Sequence, residues 1–87
     1  GPEQLIAIAK GTPAHVDTVM LVGHNPAMEE AAALLARDGD AKALATMQSK
    51  YPTAAVAELT FDVDSWEEIA RDTGHLARFV RPKDLSE

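Results

Sequence analysis

One histidine lies where an apolar strand is predicted to pass into a helix. At this position its side chain could bind a ligand or take part in a reaction. The stretch Thr18–Gly39 reads TVMLVGHNPAMEEAAALLARDG, so His24 follows the apolar run directly. In open α/β sheets, ligands bind beyond the carboxyl ends of the strands. The free N–H groups and the positive dipole end of the following helix favour an anion there. Gly23, His24 and Asn25 are therefore candidate phosphate-binding residues.

Each residue of this joint also has an ordinary structural explanation. Asn25 is a favourable N-cap, and Pro26 suits the first position of a helix. Gly23 would let a ligand approach the backbone closely. His24 can give a hydrogen bond or a positive charge to an anion, but it can equally be a solvated loop residue. Spacing alone leaves phosphate binding and a plain strand-to-helix turn both open.

The other ionisable residues give weaker signals. Glu29 and Glu30 fall in the first turns of a helix, where carboxylates favour the dipole, and nothing selects either of them as a general acid. His15 and His75 are expected to be solvated, and the spacing of the histidines is not that of a zinc site. Arg81 could approach the rim of a pocket or lie on a solvated edge. We therefore predict no metal and no cofactor.

Apolar periodicity predicts the elements that must position the joint. Helices are expected over Glu3–Lys10, from Pro26 to about Gly39, from Ala41 to about Ser49 and, as a short helix or turn, over Ser65–Arg71; strands are expected over Thr18–Gly23, Ala54–Phe61 and Leu76–Val80. The first strand is continuously apolar, as in a parallel sheet covered on both faces, whereas Ala54–Phe61 alternates as a half-buried strand does. This order predicts an α/β fold with a mixed sheet.

Length and charge narrow the class of protein. The chain has 87 residues and no cysteine, so it holds one domain at most and no disulfide. Its formal net charge of −6 argues against nucleic acid or an anionic membrane as partners. No apolar run is long enough to span a bilayer. We expect a cytoplasmic protein, and the opening Gly1-Pro2 is either a remnant of tag removal or native sequence.

Three blocks in order resemble one known family. The segment VMLVGHNPAMEEAAALLA resembles the second-histidine segment of the histidine phosphatase superfamily, in its SixA-type phosphohistidine phosphatase branch. YPTAAVAELTFDVDSW resembles the strand-and-tryptophan block of that branch, and LARFVRPKDL resembles its terminal strand. The resemblance implies a phosphoglycerate mutase-like domain, with a three-layer α/β/α architecture and a mainly parallel mixed sheet. Residues 1–87 would form the C-terminal portion of that single domain.

The resemblance also implies a reaction. Such enzymes hydrolyse phosphomonoesters or phosphoramidates through a phosphohistidine intermediate, with the nucleophilic histidine in an Arg-His motif. His24 matches the second histidine, whose implied catalytic role is to hydrogen-bond the phosphoryl oxygens. The implied partner is a phosphorylated substrate, either a phosphohistidine protein or a small phosphate ester.

The chain departs from the family pattern because it contains no Arg-His dipeptide. The half of the family domain that carries the nucleophile and the pocket arginines is missing from these residues, so we expect the 87-residue chain alone to be inactive. The strand Thr18–Gly23 would then expose an apolar edge, and we expect it to pair with the missing N-terminal half or with another copy as a homo-oligomer. The alternative is a non-catalytic α/β module, truncated or degenerate, that binds an anion or a protein.

Overall fold

The structure, a computed structural model, describes residues 1–85. Its helices are α1 (Pro2–Lys10), α2 (Ala27–Leu35) and α3 (Ala41–Ser49), and its strands are β1 (Ala36–Gly39), β2 (Val56–Phe61) and β3 (Gly74–Val80). Short 3₁₀ turns cover Trp66–Glu68 and Pro82–Leu85. The described residues therefore form a small α/β domain, as predicted, and no helix among them is long and apolar enough to cross a membrane.

The strands form one mixed sheet with the order β1-β3-β2. The pair β1–β3 is parallel and the pair β2–β3 is antiparallel, with irregular register between Glu58 and Leu59. The sheet is thus mixed, as expected, with one pair of each kind among residues 1–85. Since β3 is paired on both sides, β1 and β2 are the two edges of the sheet.

Local signals in the sequence account for several of these elements. Asp40 caps α3, because its carboxylate accepts a hydrogen bond from the backbone N–H of Ala43 at 2.9 Å. Strand β2 alternates between exposed and partly buried side chains, which confirms its prediction as a half-buried strand. The helices predicted over Glu3–Lys10 and from Ala41 to about Ser49 are confirmed, the first with one more residue at its start.

The prediction for Thr18–Gly23 was wrong for the described residues. This segment has no strand partner, and no hydrogen bond joins its backbone to another part of residues 1–85. Val19 and Leu21 are partly buried, whereas Met20 is 78% exposed and Val22 is 86% exposed. The side chains of the segment alternate between partly buried and exposed, as in a strand with one buried face. An apolar pattern indicates burial, but it does not determine which strand, if any, pairs with the segment.

The end of α2 was also predicted wrongly. The helix was expected to reach about Gly39, but it ends at Leu35 and the next four residues form β1. Gly39 permits this pairing, because a Cβ at that position would lie 2.5 Å from the carbonyl oxygen of Leu76. Helix-forming residues at 36–38 are therefore held in a strand by tertiary pairing, which often overrides local propensity.

The core lies between α2, α3 and the sheet. Its buried cluster consists of Ala32, Ala43, Met47, Tyr51, Leu76 and Phe79. Leu76, in the central strand β3, has 0% of its surface exposed. Tyr51 and Phe79 add an aromatic contact, with ring centroids 5.1 Å apart and planes tilted by 58°. This cluster holds α2, and with it the joint that carries His24, against the sheet.

Candidate phosphate site

His24 is exposed at the joint between the extended segment 18–23 and helix α2. Its backbone carbonyl accepts a hydrogen bond from the N–H of Met28 at 3.1 Å, which ties the residue to the first turn of the helix. Neither ring nitrogen takes part in a hydrogen bond with the rest of residues 1–85. The imidazole is therefore open to solvent and available to a ligand.

The start of α2 offers an anion fewer backbone donors than the sequence suggested. Pro26 has no N–H, and the N–H groups of Met28 and Glu29 are already bonded to His24 and Asn25. Within the described chain, the N–H of Ala27 is left without an acceptor among the first helical residues. An anion at this joint would therefore depend on the His24 side chain and one backbone donor, together with the helix dipole.

Asn25 fixes the joint through both ends of its side chain. Its Oδ1 accepts from the Glu29 N–H at 3.2 Å, and its Nδ2 donates to the Tyr51 carbonyl at 3.0 Å. The N-cap position falls on Pro26 rather than on Asn25. Asn25, one residue before the N-cap, nevertheless makes a capping hydrogen bond to the first turn of α2. Asn25 thus acts as a structural clamp between α2 and the turn at Tyr51, and its amide group is engaged by the protein.

Gly23 lies close to the Met28 side chain. A Cβ at this position would lie 3.1 Å from Sδ of Met28, with Leu5 also nearby. Gly23, His24 and Asn25, the three predicted phosphate-binding residues, have different structural roles. Gly23 admits the Met28 side chain, Asn25 anchors the helix, and His24 is the member left free to meet a ligand.

The electrostatic surroundings of the joint are acidic. Glu29 and Glu30 lie in the first turn of α2 and are both exposed. Burial raises the pKa of the Tyr51 hydroxyl, and the charge of Glu29 raises it further, which places that carboxylate near Tyr51. These two carboxylates interact favourably with the helix dipole but oppose an incoming phosphate. Glu29 and Glu30 therefore weaken phosphate binding at this joint.

The guanidinium of Arg81 is bound to Asp84. Its guanidinium donates to both carboxylate oxygens of Asp84, at 3.0 Å and 2.7 Å, and its backbone N–H donates to the same side chain. This bidentate contact closes the 3₁₀ turn after β3. The structure therefore gives Arg81 a capping role and does not bring it to His24.

One ionisable pair was not anticipated from the sequence. His75 Nδ1 lies 2.8 Å from Asp38 Oδ1, across the parallel strands β1 and β3. The His75 hydrogen bond, helped by Arg37, lowers the pKa of Asp38. The residues are 37 apart in sequence and become neighbours through the unexpected strand β1, so no local pattern could reveal them. Among the described residues, no group of three or more acidic or histidine side chains is placed to hold a metal ion.

Replacing Asn25 should show how much its clamp contributes. We expect Asn25→Ala to lower the free energy of unfolding by about 1 kcal/mol, the usual cost of losing a cap. Asn25→Asp should lose less, because a carboxylate still accepts from Glu29 N–H although it cannot donate to Tyr51. Urea unfolding of both variants measures the difference, with Gln48→Ala at an exposed position of α3 as the control. Equal stability of Asn25→Ala and the parent chain would contradict the clamp.

Acid should loosen the turn after β3. The Arg81 hydrogen bonds hold the pKa of Asp84 at about 2, below its ordinary value of about 3.9. Because the folded pKa is depressed, this stabilisation is present above pH ~4 and is lost as the pH falls toward 2. Carbon-detected NMR titration of the Asp84 carboxyl should show this low midpoint. In Arg81→Gln the midpoint should return toward its ordinary value, and an unchanged midpoint would refute the assignment.

The chain matches no protein-family model and has no significant match among curated proteins or solved structures.

Proposed function

We propose that this chain is the C-terminal portion of a histidine phosphatase-like domain of the SixA type, and that His24 contacts the phosphoryl group of its substrate. The observation that carries the proposal is the exposed, unbonded imidazole of His24 at the start of α2. The order of elements around it is that of a small α/β domain, and the three blocks of sequence resemblance run through it. The proposed complete domain is a three-layer α/β/α fold with a mainly parallel sheet.

The proposed reaction proceeds in two steps. A nucleophilic histidine supplied by the other half of the domain would attack phosphorus, forming an N–P bond while the bond to the leaving group breaks. Water would then attack the same phosphorus, forming an O–P bond and releasing inorganic phosphate and the histidine. His24 would donate a hydrogen bond to the phosphoryl oxygens in both steps, where preorganised donors stabilise the developing charge.

The acidic surroundings of His24 define what the other half must provide. Glu29 and Glu30 in the first turn of α2 oppose a phosphate at the joint, and Arg81 is bound to Asp84 instead. Phosphate pockets depend on arginine because its planar guanidinium binds two oxygens at once. We therefore propose that the pocket arginines, like the nucleophile, come from outside these residues, and that the 87-residue chain alone has no turnover.

An activity comparison tests the proposal. The 87-residue chain and the complete reading frame that encodes it would be assayed with an aryl phosphate and with a phosphohistidine peptide. We expect hydrolysis in the complete protein and none in the short chain. Hydrolysis by the short chain, or a complete reading frame without an Arg-His motif, would refute the proposal.

The alternative, a non-catalytic protein-binding module, is favoured by a different observation. The extended segment 18–23 has no backbone partner within residues 1–85 and borders a large apolar cleft. A reading frame without the nucleophile would leave this cleft as the main functional feature of the domain.

A further inference from the structure

A groove of about 430 Å³ lies along the central strand β3, on the side of the sheet that carries β1. Strand β1 pairs with β3 only as far as Leu76, because the chain leaves the sheet after Gly39 and enters α3. Residues 77–80 of β3 form one wall of the groove, and the first half of α3, with Ala43 and Thr46, forms the other. Consecutive residues of β3 border the groove, so it follows the edge of the strand rather than one face of the sheet.

The backbone of this part of β3 is paired on one side only. Toward β2, the antiparallel pairing continues as far as Val80, which lies opposite Val56. Toward the groove, residues 77–80 have no strand partner and no backbone hydrogen bond from another element within residues 1–85. Unpaired N–H and C=O groups along a strand edge are a template for another strand. An extended peptide can satisfy several of these groups in a row, whereas a compact ligand cannot.

The charges at this groove favour an acidic partner. Lys42 and Arg78 line it, and neither side chain forms an ion pair with another part of the described chain. The two acidic residues of the groove are already engaged, because Asp40 caps α3 and Asp84 binds the guanidinium of Arg81 at 2.7 Å. The groove therefore presents two unengaged cations on a chain whose formal net charge is −6. Such a local excess of positive charge attracts carboxylates.

Two other partners for these cations fit less well. Glu58 lies opposite Arg78 in the register of β2 and β3, but it does not line the groove and no ion pair joins the two side chains. A second copy pairing this edge with itself about a two-fold axis would bring Lys42 and Arg78 close to the same cations of the other copy. A carboxylate from a different polypeptide meets neither difficulty.

We propose that this groove is a docking site for an acidic, extended segment of another protein. The segment adds as a strand to residues 77–80 of β3, and its carboxylates pair with Lys42 and Arg78. Main-chain hydrogen bonds supply the affinity in strand addition of this kind, and side chains supply the specificity. The proposal goes beyond the phosphatase function and does not require that His24 bind phosphate.

A pair of synthetic peptides tests the proposal. The probe has six residues, with glutamate at both ends and alternating threonine and valine between them; the matched control has lysine at both ends. We expect the acidic peptide to slow amide hydrogen exchange within residues 77–80 and to bind at least tenfold more tightly than the control at low salt. Added salt should reduce this ratio, since Lys42 and Arg78 are exposed. Absence of protection at residues 77–80, or protection of the β2 edge instead, overturns the proposal.

Paired charge variants test whether the groove, rather than net charge, selects the peptide. In the double variant Lys42→Glu and Arg78→Glu, the preference should shift toward the lysine peptide. The double variant Lys10→Glu and Lys50→Glu makes the same change in net charge at exposed positions outside the groove, and it should keep the acidic preference. Circular dichroism verifies that both variants fold. An unchanged preference in the groove variant, or an equal loss in both variants, refutes the assignment.

Sedimentation of the chain without peptide tests the second copy as the occupant. We expect no pairing of copies through residues 77–80, because the groove would bring like charges together. Copies that pair through these residues and are not separated by excess acidic peptide would overturn the proposal.

Discussion

In the complete phosphatase that we propose, replacing His24 with alanine lowers kcat/KM by about 10²–10³-fold. This is the loss measured when one preorganised donor to a developing oxyanion is removed. His24 is exposed and its ring makes no hydrogen bond within residues 1–85, so the substitution should leave the fold intact. Steady-state kinetics with an aryl phosphate measure the change, and circular dichroism verifies folding.

Two control variants sharpen this test. His15→Ala removes another exposed histidine, in the connector between α1 and segment 18–23, and should leave kcat/KM unchanged. His24→Asn retains a donor of similar reach and should recover part of the lost rate, which a purely structural role would not explain. A complete enzyme that tolerates His24→Ala without loss would place the phosphate elsewhere.

Replacing Leu76 with alanine should cause a large loss of stability in this domain. Leu76 has 0% of its surface exposed in the central strand and belongs to the main apolar cluster. Leucine-to-alanine changes at such positions cost about 2–5 kcal/mol, through lost burial and the cavity left behind. A small domain has about 5–15 kcal/mol of stability in total, so this single change could remove a large share of it.

Leu85 provides a matched control for this change. It is the same residue type but 75% exposed, and Leu85→Ala should alter the free energy of unfolding by less than about 0.5 kcal/mol. Urea unfolding followed by circular dichroism compares the two variants. Similar losses at both positions would contradict the assignment of the core to β3.

The sequence by itself determined the elements whose signals are local. The helix Ala41–Ser49, the alternation in β2 and the apolar spacing of α1 each depend on neighbouring residues, and each was found where it was predicted. The place of His24 just before a helix was also foreseen, because Asn25 and Pro26 mark the start of a helix, although the segment before it is not a strand. Its phosphate role remains a proposal that rests on this position and on the family resemblance.

Tertiary structure decided which segments pair and which polar groups are already engaged. Residues 36–38 look helical, yet they form β1 because β3 lies beside them and Gly39 permits close approach to Leu76. Segment 18–23 looks like a central strand, but it has no partner within the described chain. Strand pairing depends on residues distant in sequence, so an apolar run specifies a preference for burial and pairing without specifying its neighbour.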